Sequence, residues 1–163
     1  MPTHPYIHFQ GQCAAAMTAC AAIFGSAPPQ RMHDADAPGA PGAFKASGRI
    51  MPAQVALFDG TLMGSDYPPG REGEAQKRVS VMQSAPNFDT GARIFAALAK
   101  GGAVIEDHNS SFFAKGFGRV EDRLARIGSS RRGSRHRKAA RPAFWAGLDN
   151  NRGASRHLGE VRN

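Results

Sequence analysis

The stretch "IMPAQVALFDGTLMGSD", residues 50–66, decides the fold because it joins two strand-like runs through a turn signal. The apolar runs Ile50–Phe58 and Thr61–Ser65 flank the pair Asp59-Gly60. An Asp-Gly pair between apolar runs is a strong signal for a two-residue hairpin turn. Pro52 counts against regular pairing near the start, because proline cannot donate a ladder hydrogen bond. The stretch therefore predicts an antiparallel hairpin.

A strand and a helix are predicted upstream of this hairpin. The aromatic-rich "PYIHFQG", residues 5–11, is typical of a strand that ends at a glycine. The Ala-rich "QCAAAMTACAAIFG", residues 12–25, predicts a helix that ends at Gly25, since alanine is the best helix former and glycine commonly ends helices. Residues 26–47 are rich in Pro, Gly and Ala and predict a loop with one short strand, Gln30–His33.

The second half of the chain repeats this order of elements. "KRVSVMQS", residues 77–84, alternates as a strand does, and "NFDTGARIFAALAKGG", residues 87–102, has the apolar face of a helix. "AVIED" then predicts a strand, "HNSS" a turn, and "FFAKGFGRVED" one or two further strands. One helix between strands in each half predicts an α+β fold built from two paired modules.

The net charge of +8 is unevenly distributed. Residues 1–122 hold 10 Lys+Arg and 11 Asp+Glu, a net charge of −1, whereas residues 123–163 hold 11 and 2, a net charge of +9. The body of the chain therefore has no charge-based reason to bind nucleic acid or a membrane. A basic tail that binds nucleic acid through phosphate contacts is kept as an alternative function.

The two cysteines indicate a reducing compartment. Cys13 and Cys20 lie on the predicted helix about 10 Å apart, beyond the reach of a disulfide. Reduced thiols favour a cytoplasmic location. No run approaches the ~20 apolar residues of a membrane span, and the start of the chain lacks the basic and apolar regions of a signal peptide.

Four segments, taken in order, resemble one known group of proteins. They are "PYIHFQGQCAAAM…IFG", "IMPAQVALFDGTLMGSD", "ARIFAALAKGGAVIED" and "FFAKGFGRVEDR". Together they resemble the PhnB-like branch of the vicinal oxygen chelate superfamily, which includes glyoxalase I, bleomycin-resistance proteins and extradiol dioxygenases. The resemblance covers residues 5–123, with modules at about 5–67 and 76–123. It implies paired βαβββ modules that each curl around a cavity, a small-molecule ligand and a homodimer.

The resemblance also implies a divalent metal in many members, acting as a Lewis acid, whereas other members bind a drug without metal. By this resemblance His8 is the candidate metal ligand. Strand alternation turns either His8 or the pair Ile7 and Phe9 toward the cavity, and the sequence leaves both phases open. Pro52 stands where PhnB-like relatives often have a histidine. The candidate cavity-lining residues are Ile7, Phe9, Gln54, Ser65 and Asp66.

The sequence does not decide between a metal-dependent enzyme and a metal-free binding protein. A catalytic metal needs about three protein ligands, and His33 and His108 are expected to be solvated in a loop and a turn. One hypothesis is therefore a metal-dependent lyase, isomerase or dioxygenase-type enzyme. The other is a metal-free protein that binds a drug or metabolite.

The C-terminal segment departs from the resemblance at residue 124. Relatives close the domain with "VxDxFGxxW", whereas here "VEDR" is followed by "LARIGSS". One added base after codon 123 allows Phe-Gly, two variable residues, Trp or Arg, and two aliphatic residues. Residues 124–163 are therefore predicted to be translated out of frame and disordered, and the last strand of the second module to be missing.

Overall fold

Two four-stranded sheets with the same strand order make up the computed structural model, which describes residues 3–39, 41–73, 79–123 and, for the backbone, 144–146. In each sheet the first strand is parallel to the fourth, and the other neighbours are antiparallel. The predicted α+β fold of paired βαβββ modules is confirmed. The strand order of the first sheet is β1 (Tyr6–Phe9), β4 (Gly60–Asp66), β3 (Ile50–Leu57) and β2 (Gln30–His33). The strand order of the second sheet is β5 (Val81–Gln83), β8 (Phe144–Ala146), β7 (Phe117–Glu121) and β6 (Ala103–Asn109).

The two predicted helices are present. The first, α1 (Cys13–Phe24), ends at Gly25 with φ +68°, and the short α2 (Gly42–Lys45) precedes β3. The second long helix, α3 (Phe88–Ala99), begins at Asn87, whose side chain accepts a hydrogen bond from the backbone N–H of Thr90 at 2.9 Å. This bond satisfies one of the helix's otherwise unpaired N–H groups. No helix within the described ranges is long and apolar enough to cross a membrane.

One hydrophobic core joins the two modules. Both long helices contribute to it, and the Nη1 atom of Arg93 on α3 donates a hydrogen bond to the Ile23 carbonyl of α1 at 2.9 Å. Carbonyls in the last turn of a helix lack an intrahelical partner, so this bond satisfies one of them. The largest fully buried side chains come from both modules and are Met17, Ile50, Leu57, Ile94, Val120 and Cys13.

The hairpin of the first sheet turns one residue earlier than expected. Leu57 pairs with Gly60, so the turn residues are Phe58 and Asp59 rather than Asp59 and Gly60. Phe58 has φ +51°, which is uncommon for a residue other than glycine. Its ring contacts Phe24 of α1 edge to face, with centroids 5.7 Å apart. This contact offsets the cost of the backbone conformation and fixes the turn here.

The expectation that the last strand is missing is wrong. Phe144–Ala146 forms β8 between β5 and β7, in the position that β4 holds in the first sheet. Without it both neighbouring strands would expose unpaired N–H and C=O groups, and Phe and Trp favour strands. The other residues of the predicted disordered tail, 124–143 and 147–163, lie outside the described residues.

The segment before β7 also differs from expectation. Strand β6 continues to Asn109, so His108 is a strand residue and not part of a turn. Phe112 and Phe113, expected in a strand, lie in the loop that follows. There the backbone N–H of Ala114 donates to Ser111 Oγ at 3.1 Å, a local bond that a side chain offers in place of ladder pairing.

Candidate functional site

Helix α1 covers one face of the first sheet and so determines which way β1 points. Phe9 is 4% exposed and belongs to the core, and Ile7 packs against that core. Side chains alternate along a strand, so His8 faces the opposite side of the sheet. Ile7 and Phe9, two of the residues expected to line a cavity, pack on the side of the sheet that α1 covers, and their contact with a ligand stays a prediction.

Asp66 was also expected to line the cavity, and it too lies in the interior. Its Oδ1 atom accepts hydrogen bonds from the backbone N–H groups of Gly11 at 2.7 Å and Cys13 at 3.0 Å. Its Oδ2 atom accepts one from the N–H of Ile50 at 3.0 Å. The carboxylate therefore binds the start of α1 and the start of β3, which is a structural role.

The face opposite α1 carries a row of side chains that crosses all four strands. Gln54 pairs in register with Met63, which pairs with Tyr6, and Gln54 Nε2 donates to Gln30 Oε1 at 2.6 Å. We call this side the open face and define it by Tyr6, His8, Gln30, Gln54, Met63 and Ser65.

The open face includes two of the expected cavity-lining residues. Gln54 and Ser65 lie on it together with His8. Their contact with a ligand stays a prediction.

His8 is held between two tyrosine rings and a serine. Its Nδ1 lies 3.2 Å from Ser65 Oγ, and its ring centroid lies 5.1 Å from those of Tyr6 and Tyr67. When the Ser65 hydroxyl donates to Nδ1, the proton of the neutral ring is on Nε2, which can then donate to a bound molecule. The arrangement orients one polar ring atom beside two aromatic surfaces.

Tyr67 is positioned by the backbone that follows β4. Its N–H donates to the Phe9 carbonyl at 2.8 Å, and Arg49 Nη1 donates to the Tyr67 carbonyl and, at 3.3 Å, to that of Pro68. Sequence reasoning overlooked both tyrosines. The period of two along β1 could have placed Tyr6 beside His8, whereas Tyr67 lies after its strand and no sequence pattern points to it.

The residues around His8 do not fit a three-ligand metal centre. Its contacts are a serine hydroxyl and two tyrosine rings, and Pro52 of β3 has no side-chain donor atom. Among the described residues, no three side chains of His, Cys, Asp or Glu lie close enough together to hold a metal ion. His33 is exposed next to a short 3₁₀ turn.

Comparison with solved structures agrees with this architecture, although the chain matches no family model and no curated protein sequence. Protein PA1353 from Pseudomonas aeruginosa superposes with a TM-score of 0.71 at 24% identity, covering 90% of this chain and 96% of that one. The PhnB protein from Bacillus cereus gives 0.61 at 18% identity, covering 91% and 99%. A glyoxalase/bleomycin resistance protein/dioxygenase family enzyme from Burkholderia phytofirmans gives 0.52 at 8% identity, covering 88% and 94%.

The chain therefore has the fold shared by PhnB and by glyoxalase/bleomycin resistance/dioxygenase structures. The resemblance noted in the sequence is confirmed at the level of the fold. These likenesses assign neither a substrate nor a reaction.

Proposed function

We propose that the chain is a PhnB-like vicinal oxygen chelate protein that binds a small organic molecule on the open face of its first sheet. The observation that carries this proposal is the position of His8. Its ring lies between Tyr6 and Tyr67 and contacts Ser65, on the side of the sheet that α1 leaves uncovered. Polar groups of this kind beside aromatic surfaces are typical of small-molecule sites.

The chemistry of the open face favours a neutral planar ligand. Its six residues offer an imidazole, a hydroxyl, two amides, a phenol and a thioether, and none is a Lys, Arg, Asp or Glu. Recognition would then rest on hydrogen bonds and ring stacking rather than on ion pairing. An aromatic or heteroaromatic compound with one or two hydrogen-bonding groups meets these requirements.

The alternative function is a metalloenzyme of the lyase, isomerase or dioxygenase type. The donor atoms around His8 favour the metal-free binder, because the described residues supply one imidazole and no carboxylate there. Elemental analysis of the purified protein distinguishes the two. A stoichiometric divalent ion that disappears in His8→Ala would support the enzyme and overturn the metal-free proposal.

Ligand binding is tested by thermal shift with a panel of neutral aromatic and N-heterocyclic compounds. We expect at least one compound to raise the melting temperature of the parent chain, and the shift to be lost in His8→Ala and in Ser65→Ala. His4→Ala is the matched control, because His4 is exposed and lies before β1. A panel without effect, or shifts that both site variants retain, would contradict the proposal.

We further propose that the protein works as a cytoplasmic homodimer. Val104 and Ile105 of the edge strand β6 are 49% and 47% exposed, and a second copy could cover such apolar surface. Light scattering behind a sizing column measures the mass directly. A monomer at all concentrations would contradict the dimer, and Ile105→Ser should weaken it.

A further inference from the structure

The second module contains a histidine whose surroundings are almost entirely apolar. His108 of β6 lies against α3, with its ring centroid 4.8 Å from that of Phe88 and 5.7 Å from that of Phe95. Both ring nitrogens are buried, and neither has a hydrogen-bond partner within the part of the chain that the structure describes. A buried polar atom without a partner costs free energy, so this ring calls for an explanation.

Glycines create the slot in which the ring lies. A Cβ atom at Gly116 would lie 2.8 Å from His108 Cε1, and one at Gly91 would lie 3.1 Å from Nε2. At Gly118 a Cβ atom would lie 2.8 Å from Cε2 of Phe95 on α3. The hairpin of β6 and β7 can therefore approach α3 closely only because three positions lack a side chain.

The described residues of the slot supply no counter-ion for the ring. The cavity beside the ring has a volume of about 10 Å³, close to the minimum that one water molecule needs. Its lining includes Asn87, Phe88 and Lys115 but no carboxylate. The charged residues on the surrounding elements are Asp89 and Arg93 of α3, Lys115 before β7, Arg119 and Glu121 of β7, and Glu106 and Asp107 of β6 itself.

A positive charge on His108 would thus lie in a slot formed largely by phenyl rings and glycines. An imidazolium ion needs acceptors for two N–H groups, and neither ring nitrogen of His108 has one among the described residues. Burial accordingly lowers the pKa of His108 from its ordinary value. We propose that His108 is a pH-sensitive latch of the second module: protonation of its ring drives the β6–β7 hairpin away from α3.

The sign of the effect follows from proton linkage. An unfolded histidine titrates near pH ~6.5, and the folded ring binds its proton only at a lower pH. The unfolded or opened state therefore binds more protons in this range. Stability is present above about pH 6.5 and falls as the pH decreases through that value toward the lower pKa of the folded ring. The device is independent of the proposed ligand site, since His8 lies on the other sheet.

The test is a pH series on the full chain, with NMR of the histidine C2 protons and denaturant unfolding at several values between pH 5 and 8. We expect the pKa of His108 to lie below the ordinary value of a histidine, and the unfolding equilibrium constant of the parent to rise several-fold on acidification. His108→Asn should remove part of that rise, whereas His4→Asn should retain it. An ordinary pKa for His108, or equal acid sensitivity in both variants, would overturn the proposal.

A second variant keeps the test decisive should His108→Asn fail to fold. Gly116→Ala places a methyl group in the slot and should push the ring out, which returns the pKa of His108 toward its ordinary value. Gly42→Ala is the matched control, because a Cβ atom there has no neighbour within 4 Å. Hydrogen exchange should then show faster opening of β6 and β7 at acid pH in the parent chain, and unchanged exchange there would contradict the latch.

Discussion

The carboxylate of Asp66, the last residue of β4, accepts a hydrogen bond at 3.0 Å from the backbone N–H of Cys13, the first residue of α1. Gln12, at the cap position of that helix, makes no capping bond with its own side chain. A residue 53 positions later in the sequence therefore satisfies the start of α1. A negative charge at this end also interacts favourably with the helix dipole.

Replacing Asp66 should destabilise the first module. In Asp66→Asn an amide N–H₂ would replace one of the two acceptor oxygens and face a backbone donor. Because hydrogen bonds to charged groups contribute roughly 1.5–3 kcal/mol each, we expect the free energy of unfolding to fall by about 2 kcal/mol or more. Urea denaturation measures the change. Asp107→Asn on the exposed face of β6 removes the same charge, and an equal loss in both variants would contradict the capping role.

The left-handed turn at Phe58 predicts an unusual order of stabilities. The variants Phe58→Ala and Phe58→Gly both lose the ring contact with Phe24. The positive φ at this position is strained for alanine but not for glycine, which has no Cβ atom. We expect the glycine variant to be more stable than the alanine variant by about 1 kcal/mol. At Ala56, within β3, glycine should instead be the less stable residue. The same order at both positions in thermal denaturation would show that the turn is not strained.

The two thiols should be unreactive in the folded chain. Burial, and secondarily the charge of Asp66, raises the pKa of Cys13 to about 12, and burial with the charge of Asp122 raises that of Cys20 to about 12. Compared with an ordinary value of 9.0, the thiolate fraction at pH 8 is about a thousandfold lower. Labelling with a disulfide reagent should be slow until guanidinium unfolds the chain, and rapid labelling of the native protein would refute this.

The same shifts make the protein sensitive to alkali. Between pH 9 and about 12 the folded state keeps protons that the unfolded thiols have lost. The free energy of unfolding should therefore fall as the pH rises through this range. Substituting Ser for both cysteines should reduce the slope of stability against pH.

Truncation tests the importance of β8. Ending the chain after Arg123 removes β8, which lies between β5 and β7 and pairs with both of them. Amides of β6 and β7 should then exchange faster, while those of β3 and β4 change little. A chain that ends after Ala146 keeps β8 and is the control. Equal protection in both truncated chains would show that β8 contributes nothing to the second sheet.

The origin of the tail is a separate proposal. We propose that residues from 124 onward are translated out of frame, and sequencing the gene across codon 124 tests this. An alternative frame that does not encode an ending of the FGxxW type would disprove it. Salt-dependent DNA binding that is lost on deletion of residues 124–163 would instead support a nucleic-acid function for the tail.

Local patterns predicted the elements that depend on nearby residues, and long-range packing decided the rest. The alanines of α1 and the repeated order of strands and helices are enough to predict both modules. The phase of β1 depends on which face α1 covers, so the orientation of His8 needed the structure. The sequence alone suggested that Asp66 lines a cavity. Its structural role follows from three backbone donors that come from two other segments of the chain.

The position of the first strand beside the last in each sheet has a consequence for synthesis on the ribosome. The first sheet can close as soon as Asp66 has emerged, and α1 is capped at the same moment. The second sheet must wait for Phe144–Ala146, about 80 residues later. At roughly 5–20 residues per second, the nascent chain carries a finished first half for about 4–16 seconds before the second can be completed. Strand β7 is complete about 25 residues before Ala146, so for roughly the last 1–5 seconds of this interval β5 and β7 have no strand between them and expose unpaired edges.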